Sequence, residues 1–239
     1  MSNDADGQRF DKPSFITGID VLSCVHYPGK LMVAEFDMSR FQERDFSLLQ
    51  VPVPASLSKA AHRRRAEYLA GRYVAKRLLA DFGYQPFDLT KEKSGAPGWP
   101  AGIHGSLSHS GNRVAGALHA SAFFSGVGID IESRLNEEHA VNIKEAILTH
   151  EESNRLRFLS ESQKVTLLFS AKESFFKAVY PKAGVRFDFR DVEIVGLDLH
   201  LRQFTLRLKK KLNNTFCSGY CLNGNYFFYK DKIITLIAY

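Results

Sequence analysis

The sequence predicts an α+β protein made of two similar lobes, and three observations carry that reading. Each half holds one long helical stretch, accompanied by short strand-like runs. Those runs are punctuated by hairpin-type and asparagine-rich turns. At 239 residues, with 44% apolar and 24% charged content, the chain can bury a core large enough for one big domain or two smaller lobes.

Taken in order, LMVAEFD (31–37) reads as a strand. The stretch from Ser58 to Gly83 reads as a long helix, with Ser58 placed to cap its start and Gly83 its end. Leu69, Leu78, Leu79 and Phe82 give it an apolar stripe, while Arg64, Arg65 and Arg72 load it with positive charge. KSGAPGWPAGIHG (93–105) is a loop, because proline removes a backbone donor and fixes φ. SLSHS (106–110) then passes through Gly111 and Asn112 into VAGALHA as a hairpin, and GVGIDIE (126–132) reads as a buried strand. Thr149, three residues before Glu152, is a capping-box signal for a helix beginning THEE. Gln163 to Tyr180 reads as the second long helix, closed by Pro181. Beyond it VEIVGLD, FTLRLK, FCSGYCL, NYFFY and IITLIAY read as strands, with turns at Asn213-Asn214 and Asn223-Gly224-Asn225.

Several classes are excluded early. No stretch approaches the roughly 18 uninterrupted apolar residues of a membrane-spanning helix, and MSNDADGQRFDK lacks a basic-then-apolar signal pattern, so a cytoplasmic protein is expected. Cys24, Cys217 and Cys221 make an odd number, with no histidine at zinc-ligand spacing, which reads as reduced thiols. A net charge of +6 favours a polyanionic partner: nucleic acid, a phosphorylated cofactor or an acidic protein.

The chemistry-bearing residues lie in three places. In a strand, positions i and i+2 share a face, so Asp130 and Glu132 point the same way while Ile129 and Ile131 point oppositely. Two carboxylates so close repel, and a divalent cation relieves the repulsion; hard oxygen donors favour magnesium over zinc. On the second long helix, Leu168, Ala171, Phe175 and Val179 form one apolar face and Phe169, Phe176 and Tyr180 another beside it. Glu173 and Lys177 adjoin the aromatic stripe. A plain i,i+4 ion pair is the bland account, but buried charge on so apolar a helix asks for a partner, which a metal shared with a third carboxylate would provide. SLSHS offers hydroxyls and an imidazole at a loop edge, suited to phosphate oxygens, as do Arg64, Arg65, Arg72, Lys91 and Lys93.

RRAEYLAGR (64–72), GAPGWPAGIHGSLSHS (95–110), GVGIDIE and FSAKESFFKAVYP (169–181), in that order, resemble the Sfp-type 4'-phosphopantetheinyl transferases, and among them the branch of enterobactin synthase component D. The resemblance spans about 30–230. It implies transfer of the phosphopantetheine arm of coenzyme A to a carrier-protein serine, with release of adenosine 3',5'-bisphosphate. It further implies a pseudo-dimer of two α+β lobes, here 1–121 and 122–239, with coenzyme A bound between them. By the same resemblance Asp130, Glu132 and Glu173 are magnesium carboxylates, with manganese an alternative ion; Glu173 is also the candidate base, acting directly or through a metal-bound water, and Asp130, Glu173 and Lys177 are the catalytic set. Lys172 and Lys177 match positions near the pyrophosphate, and Arg64, Arg72, Lys91, Ser108 and His109 match positions lining the nucleotide and its 3'-phosphate. Where many members of the wider family carry Gly-Lys-Pro, this chain has Gly95-Ala96-Pro97, so one phosphate ligand is either missing here or supplied by Lys91 or Lys93.

The implied partners are coenzyme A and acidic apo carrier domains (peptidyl, aryl or acyl), with no nucleic acid, and the chain is expected to be a monomer serving siderophore or other secondary-metabolite synthesis. Two rivals differ in class. A magnesium-dependent nuclease usually sets acid and lysine two apart on one strand, whereas Glu173 and Lys177 are four apart on a helix. A non-catalytic binder of carriers or nucleotides has no need of three carboxylates around one cation.

Overall fold

The computed structural model describes residues 12–84, 89–91, 97–120 and 122–239. Its elements in chain order are β1 (Ile16–Leu22), β2 (Lys30–Phe36), α1 (Arg44–Leu48), α2 (His62–Ala80), β3 (Thr90–Lys91), β4 (Pro97–Gly98), β5 (His104–Ser110) and β6 (Arg113–His119). They continue with β7 (Val127–Ser133), α3 (Glu137–Ile147), α4 (His150–Arg155), α5 (Glu161–Ala183), β8 (Val192–Asp198), β9 (Gln203–Leu208), β10 (Cys221–Tyr229) and β11 (Lys232–Ala238). Two antiparallel sheets result, one of order β1-β2-β6-β5 and one of order β7-β11-β10-β9-β8, with β3 and β4 as a separate two-stranded ribbon. This is the α+β, two-lobed arrangement that the patterning predicts. Residue 121, at the expected boundary, lies outside the described residues, as do Lys93, Gly95 and Ala96.

Alternation along the strands fixes what each face meets. In β2, Met32 and Ala34 face α2, together with Val114 and Leu118 of β6 and Leu69, Tyr73 and Leu78 of the helix. Leu31 and Val33 face the other way, where with Ala115 and Ala117 they meet Val127, Ile129, Ile131, Ile234 and Leu236 of the second sheet. The outer face of that second sheet is covered by α5, whose Leu168, Ala171, Phe175 and Val179 pack on Ile194, Phe204, Leu206 and Ile237. The two sheets therefore share a core, with one long helix on the far side of each.

Gly128 sets how closely α5 can lie on β7. A Cβ built there would stand 1.9 Å from the Ser174 carbonyl oxygen, so the position tolerates no side chain at this separation. Asp130 and Glu132 follow on the same face, and the close crossing carries Glu173 and Lys177 up to them.

Four local expectations are corrected. Helix α2 begins at His62, not after Ser58, whose hydroxyl closes a 3-10 turn by donating to Ala55 O at 2.8 Å. Helix α5 runs through Pro181 to Ala183 and ends at Gly184 in the left-handed region, φ 67°. FCSGYCL is a loop until Cys221. Asn223-Gly224-Asn225 is no turn but the interior of β10, where the bare Gly224 makes room for the Phe204 ring; a Cβ there would lie 2.3 Å from Phe204 Cζ. The Thr149–Glu152 capping box is present as predicted. Strand β1 and helices α1 and α3 have no counterpart in the sequence reading.

Candidate active site

Helix α2, strand β5, strand β7 and helix α5 meet around a cavity of about 440 Å³. Arg64, Glu67, Tyr68 and Arg72 line it from α2, Ser108 and His109 from β5, Asp130 and Glu132 from β7, and Phe169, Glu173 and Lys177 from α5. A second cavity of about 570 Å³ adjoins it, sharing Pro97, Leu107 and Lys177 and continuing past Trp99, His104, Phe176, Tyr180 and Lys182.

The acidic pole is held by hydroxyls from the opposite lobe. Ser106, Ser108 and Ser110 alternate along β5, and each reaches β7: Ser106 Oγ accepts from Ile129 N (3.1 Å), Ser108 Oγ donates to Asp130 Oδ1 (2.8 Å), and Ser110 Oγ donates to Glu132 Oε2 (3.1 Å). Lys177 Nζ donates to the same Asp130 oxygen at 2.7 Å and to Ser108 Oγ at 2.8 Å. Asp130 Oδ2 is buried and has no hydrogen-bond partner among the described residues. Burial, then the charge of Asp130, pushes the Glu132 carboxyl up to about 7. Burial also raises the Glu173 carboxyl above its usual range, against the opposing pull of the Lys177 ammonium. Asp130, Glu132 and Glu173 face one cavity, yet among the described residues no three His, Cys, Asp or Glu side chains already close on a common metal position. Lys177 is the cation paired with Asp130.

The basic pole faces it across the cavity. Arg64 Nη1 lies 3.0 Å from His109 Nε2, and the Arg72 guanidinium stacks on Tyr68, 4.4 Å from the ring centroid, with its Nε donating to the Tyr68 hydroxyl at 3.1 Å. Desolvation lowers the His109 pKa below the ordinary histidine range.

Three sequence expectations change here. Lys172 does not approach the cavity's carboxylates. Its amine is buried on the other side of α5, donating to Glu152 Oε2 (2.9 Å), Ile147 O (2.8 Å) and Phe189 O (2.9 Å), because adjacent helix positions diverge by about 100°. Ser108 lines the cavity, but its hydroxyl is spent on Asp130 instead of being free for a phosphate. Arg65 is likewise committed elsewhere, to Glu43 and to Leu57 O (2.6 Å). Lys91 pairs with Pro97 in the β3–β4 ribbon, and its side chain lies outside the described residues. Conversely, the sequence reading passed over Glu67, although its spacing from Arg63 and Arg64, i+4 and i+3, places it beside them on α2. It also passed over the period-2 serine ladder facing β7.

Comparison with known proteins matches two segments of the chain to one family. The 4'-phosphopantetheinyl transferase N-terminal domain model matches residues 53–119 and that of the 4'-phosphopantetheinyl transferase superfamily matches 126–228. Enterobactin synthase component D of Escherichia coli (strain K12) is 38% identical over 170 residues, 70% of this chain and 77% of that protein. The chain belongs to the 4'-phosphopantetheinyl transferase superfamily. The 4'-phosphopantetheinyl transferase Svp of Streptomyces mobaraensis is 32% identical over 166 residues, 68% of this chain and 66% of its own, and enterobactin synthase component D of Salmonella typhimurium is 34% identical over 160 residues, 64% and 65%. The protein is thus a transferase that uses coenzyme A and modifies carrier proteins, and of the branch typified by enterobactin synthase component D. No helix among its described residues is long and apolar enough to cross a membrane.

Proposed function

We propose that the transferase moves the 4'-phosphopantetheine arm of coenzyme A onto a serine hydroxyl of an acidic apo carrier domain, releasing adenosine 3',5'-bisphosphate, in the cleft between lobes 1–121 and 122–239. The observation that carries this is the bipolar cavity: Asp130, Glu132, Glu173 and Lys177 on one wall, Arg64, Arg72 and His109 on the other. A nucleotide's 3'-phosphate suits the basic wall, and a pyrophosphate suits the wall where a lysine stands among carboxylates. The adjoining cavity, with Trp99, Phe176 and Tyr180 in its lining, suits an extended arm leaving the pyrophosphate past Lys177.

The donor set fits a hard divalent cation. The orphaned Asp130 Oδ2 and the raised Glu132 carboxyl are both relieved by one, and Asp130, Glu132 and Glu173 would hold it. Magnesium, or manganese in its place, would neutralise pyrophosphate oxygens as charge develops on the leaving group. Lys177 adds a fixed positive charge at the same edge, held in place by Asp130 and Ser108. A serine hydroxyl is a weak nucleophile at neutral pH, and Glu173 is the carboxylate we assign to its proton, directly or through a water. Binding both substrates across two lobes supplies orientation.

The chain's net charge of +6 suits docking of acidic carriers, and the likeness to enterobactin synthase component D points to a carrier of siderophore assembly. A single chain holds both walls of the site, which suits a monomer. Chromatography of a reaction containing coenzyme A, a peptidyl carrier domain and magnesium tests the reading: adenosine 3',5'-bisphosphate must accumulate one-for-one with modified carrier and stop with EDTA. Release without carrier, or turnover indifferent to chelation, contradicts it.

A further inference from the structure

Glu67 is a carboxylate in the wall proposed to receive the 3'-phosphate, where charge alone would be unfavourable. Its side chain is 9% exposed, whereas those of Arg63, Arg64 and His109 around it are 59%, 54% and 41% exposed. The buried group is therefore the fixed one, and the more mobile cations hang on it. Glu67 Oε1 accepts from Arg63 Nε at 2.9 Å, and Oε2 stands 3.7 Å from Arg64 Nη1 and 3.8 Å from His109 Nδ1. Because a guanidinium has donors and no acceptor, the 3.0 Å approach of Arg64 Nη1 to His109 Nε2 makes Nε2 the acceptor. The ring hydrogen then sits on Nδ1, the nitrogen turned to Glu67.

We infer that Glu67 is a positioning residue for the phosphate-binding wall: it holds Arg64 and the Nδ1–H form of His109 in the arrangement that receives the 3'-phosphate of coenzyme A. This rests on the function proposed above, in which the Arg64–His109 pair meets that phosphate. The charged groups facing His109 are Arg63, Arg64 and Glu67 from α2 and Lys177 from α5. Glu67 is the single anion among these four, and Lys177 is already tied to Asp130, so loss of Glu67 leaves Arg63 and Arg64 repelling each other and free to splay into solvent.

The test is calorimetric binding of coenzyme A and of dephospho-coenzyme A to the full chain, with Glu67→Gln and Glu67→Asp. Glutamine keeps the shape without the charge; aspartate keeps the charge but draws it back by one methylene. Both variants should weaken coenzyme A by about tenfold, the scale of one charge-assisted hydrogen bond, and dephospho-coenzyme A by less than about twofold. In turnover, KM for coenzyme A should rise while kcat at saturation stays near the parent value. Equal loss for both ligands overturns the inference, and so does tighter coenzyme A binding in Glu67→Gln, which would make Glu67 a plain repulsive charge. Full affinity in Glu67→Asp overturns the positional part. If Glu67→Gln does not unfold cooperatively, the aspartate variant alone decides. Failure of the parent protein to distinguish the two ligands would instead remove the 3'-phosphate assignment on which the inference stands.

Discussion

Replacing Lys172 with methionine separates a structural lysine from a phosphate-binding one. The substitution leaves the Glu152 carboxylate, 0% exposed, without the ammonium that lies 2.8 Å away, and leaves the Ile147 and Phe189 carbonyls without their donor. Breaking a buried pair on one side costs about 3–5 kcal/mol. Here the lower part of that range applies, since Thr149 N at 2.8 Å and Ile194 N at 2.9 Å still donate to the carboxylate. With a urea slope of about 2–3 kcal/mol per molar for a chain of this size, the unfolding midpoint should fall by roughly 1–2 M. The assay is urea unfolding followed by far-ultraviolet circular dichroism. Lys172→Met/Glu152→Gln should recover part of the loss, because the stranded charge is then gone although the carboxamide NH2 must face either Thr149 N or Ile194 N. A wild-type midpoint for Lys172→Met, together with abolished coenzyme A binding, would refute the reasoning and return the amine to the pyrophosphate.

Two further outcomes are expected. Gly128→Ala must lift α5 away from β7, because the new methyl would meet the Ser174 carbonyl at 1.9 Å; stability should fall by about 1–3 kcal/mol and the single-turnover transfer rate should fall with it, as Glu173 and Lys177 ride on that helix, and parent-like melting and rate would contradict this. In metal-free protein kept in EDTA, Glu132 retains its proton up to about 7, so between the ordinary glutamate range and that value the native state binds more protons than the unfolded one, and stability falls as pH rises through the window. Melting curves from pH 4.5 to 8 should show this decline, and Glu132→Gln should flatten it; a parallel decline in the variant would assign it to another group.

What the sequence made legible is local and periodic. The alternation of GVGIDIE put Asp130 and Glu132 on one face, and the 3.6-residue period put Phe175 and Val179 inward, because both patterns follow from backbone geometry alone. What it left hidden depends on packing between distant segments. Whether Lys172 or Lys177 turns to the cavity depends on which side of α5 meets β7, and Gly128 fixes that contact. Gly224 looked like a turn residue because its space is claimed by Phe204, from another strand. The serines of SLSHS looked like phosphate ligands because the carboxylates they hold lie 22 residues onward, in the other lobe.

The cavity where α2, β5, β7 and α5 meet is the proposed seat of the transfer. Intact-mass analysis of an apo carrier domain, incubated with coenzyme A, magnesium and either the parent protein or Asp130→Ala, tests it most directly. The parent should add the mass of one phosphopantetheine arm to the carrier, and the folded variant should add none at equal time and concentration. An Asp130→Ala protein that modifies the carrier at the parent rate would contradict the account.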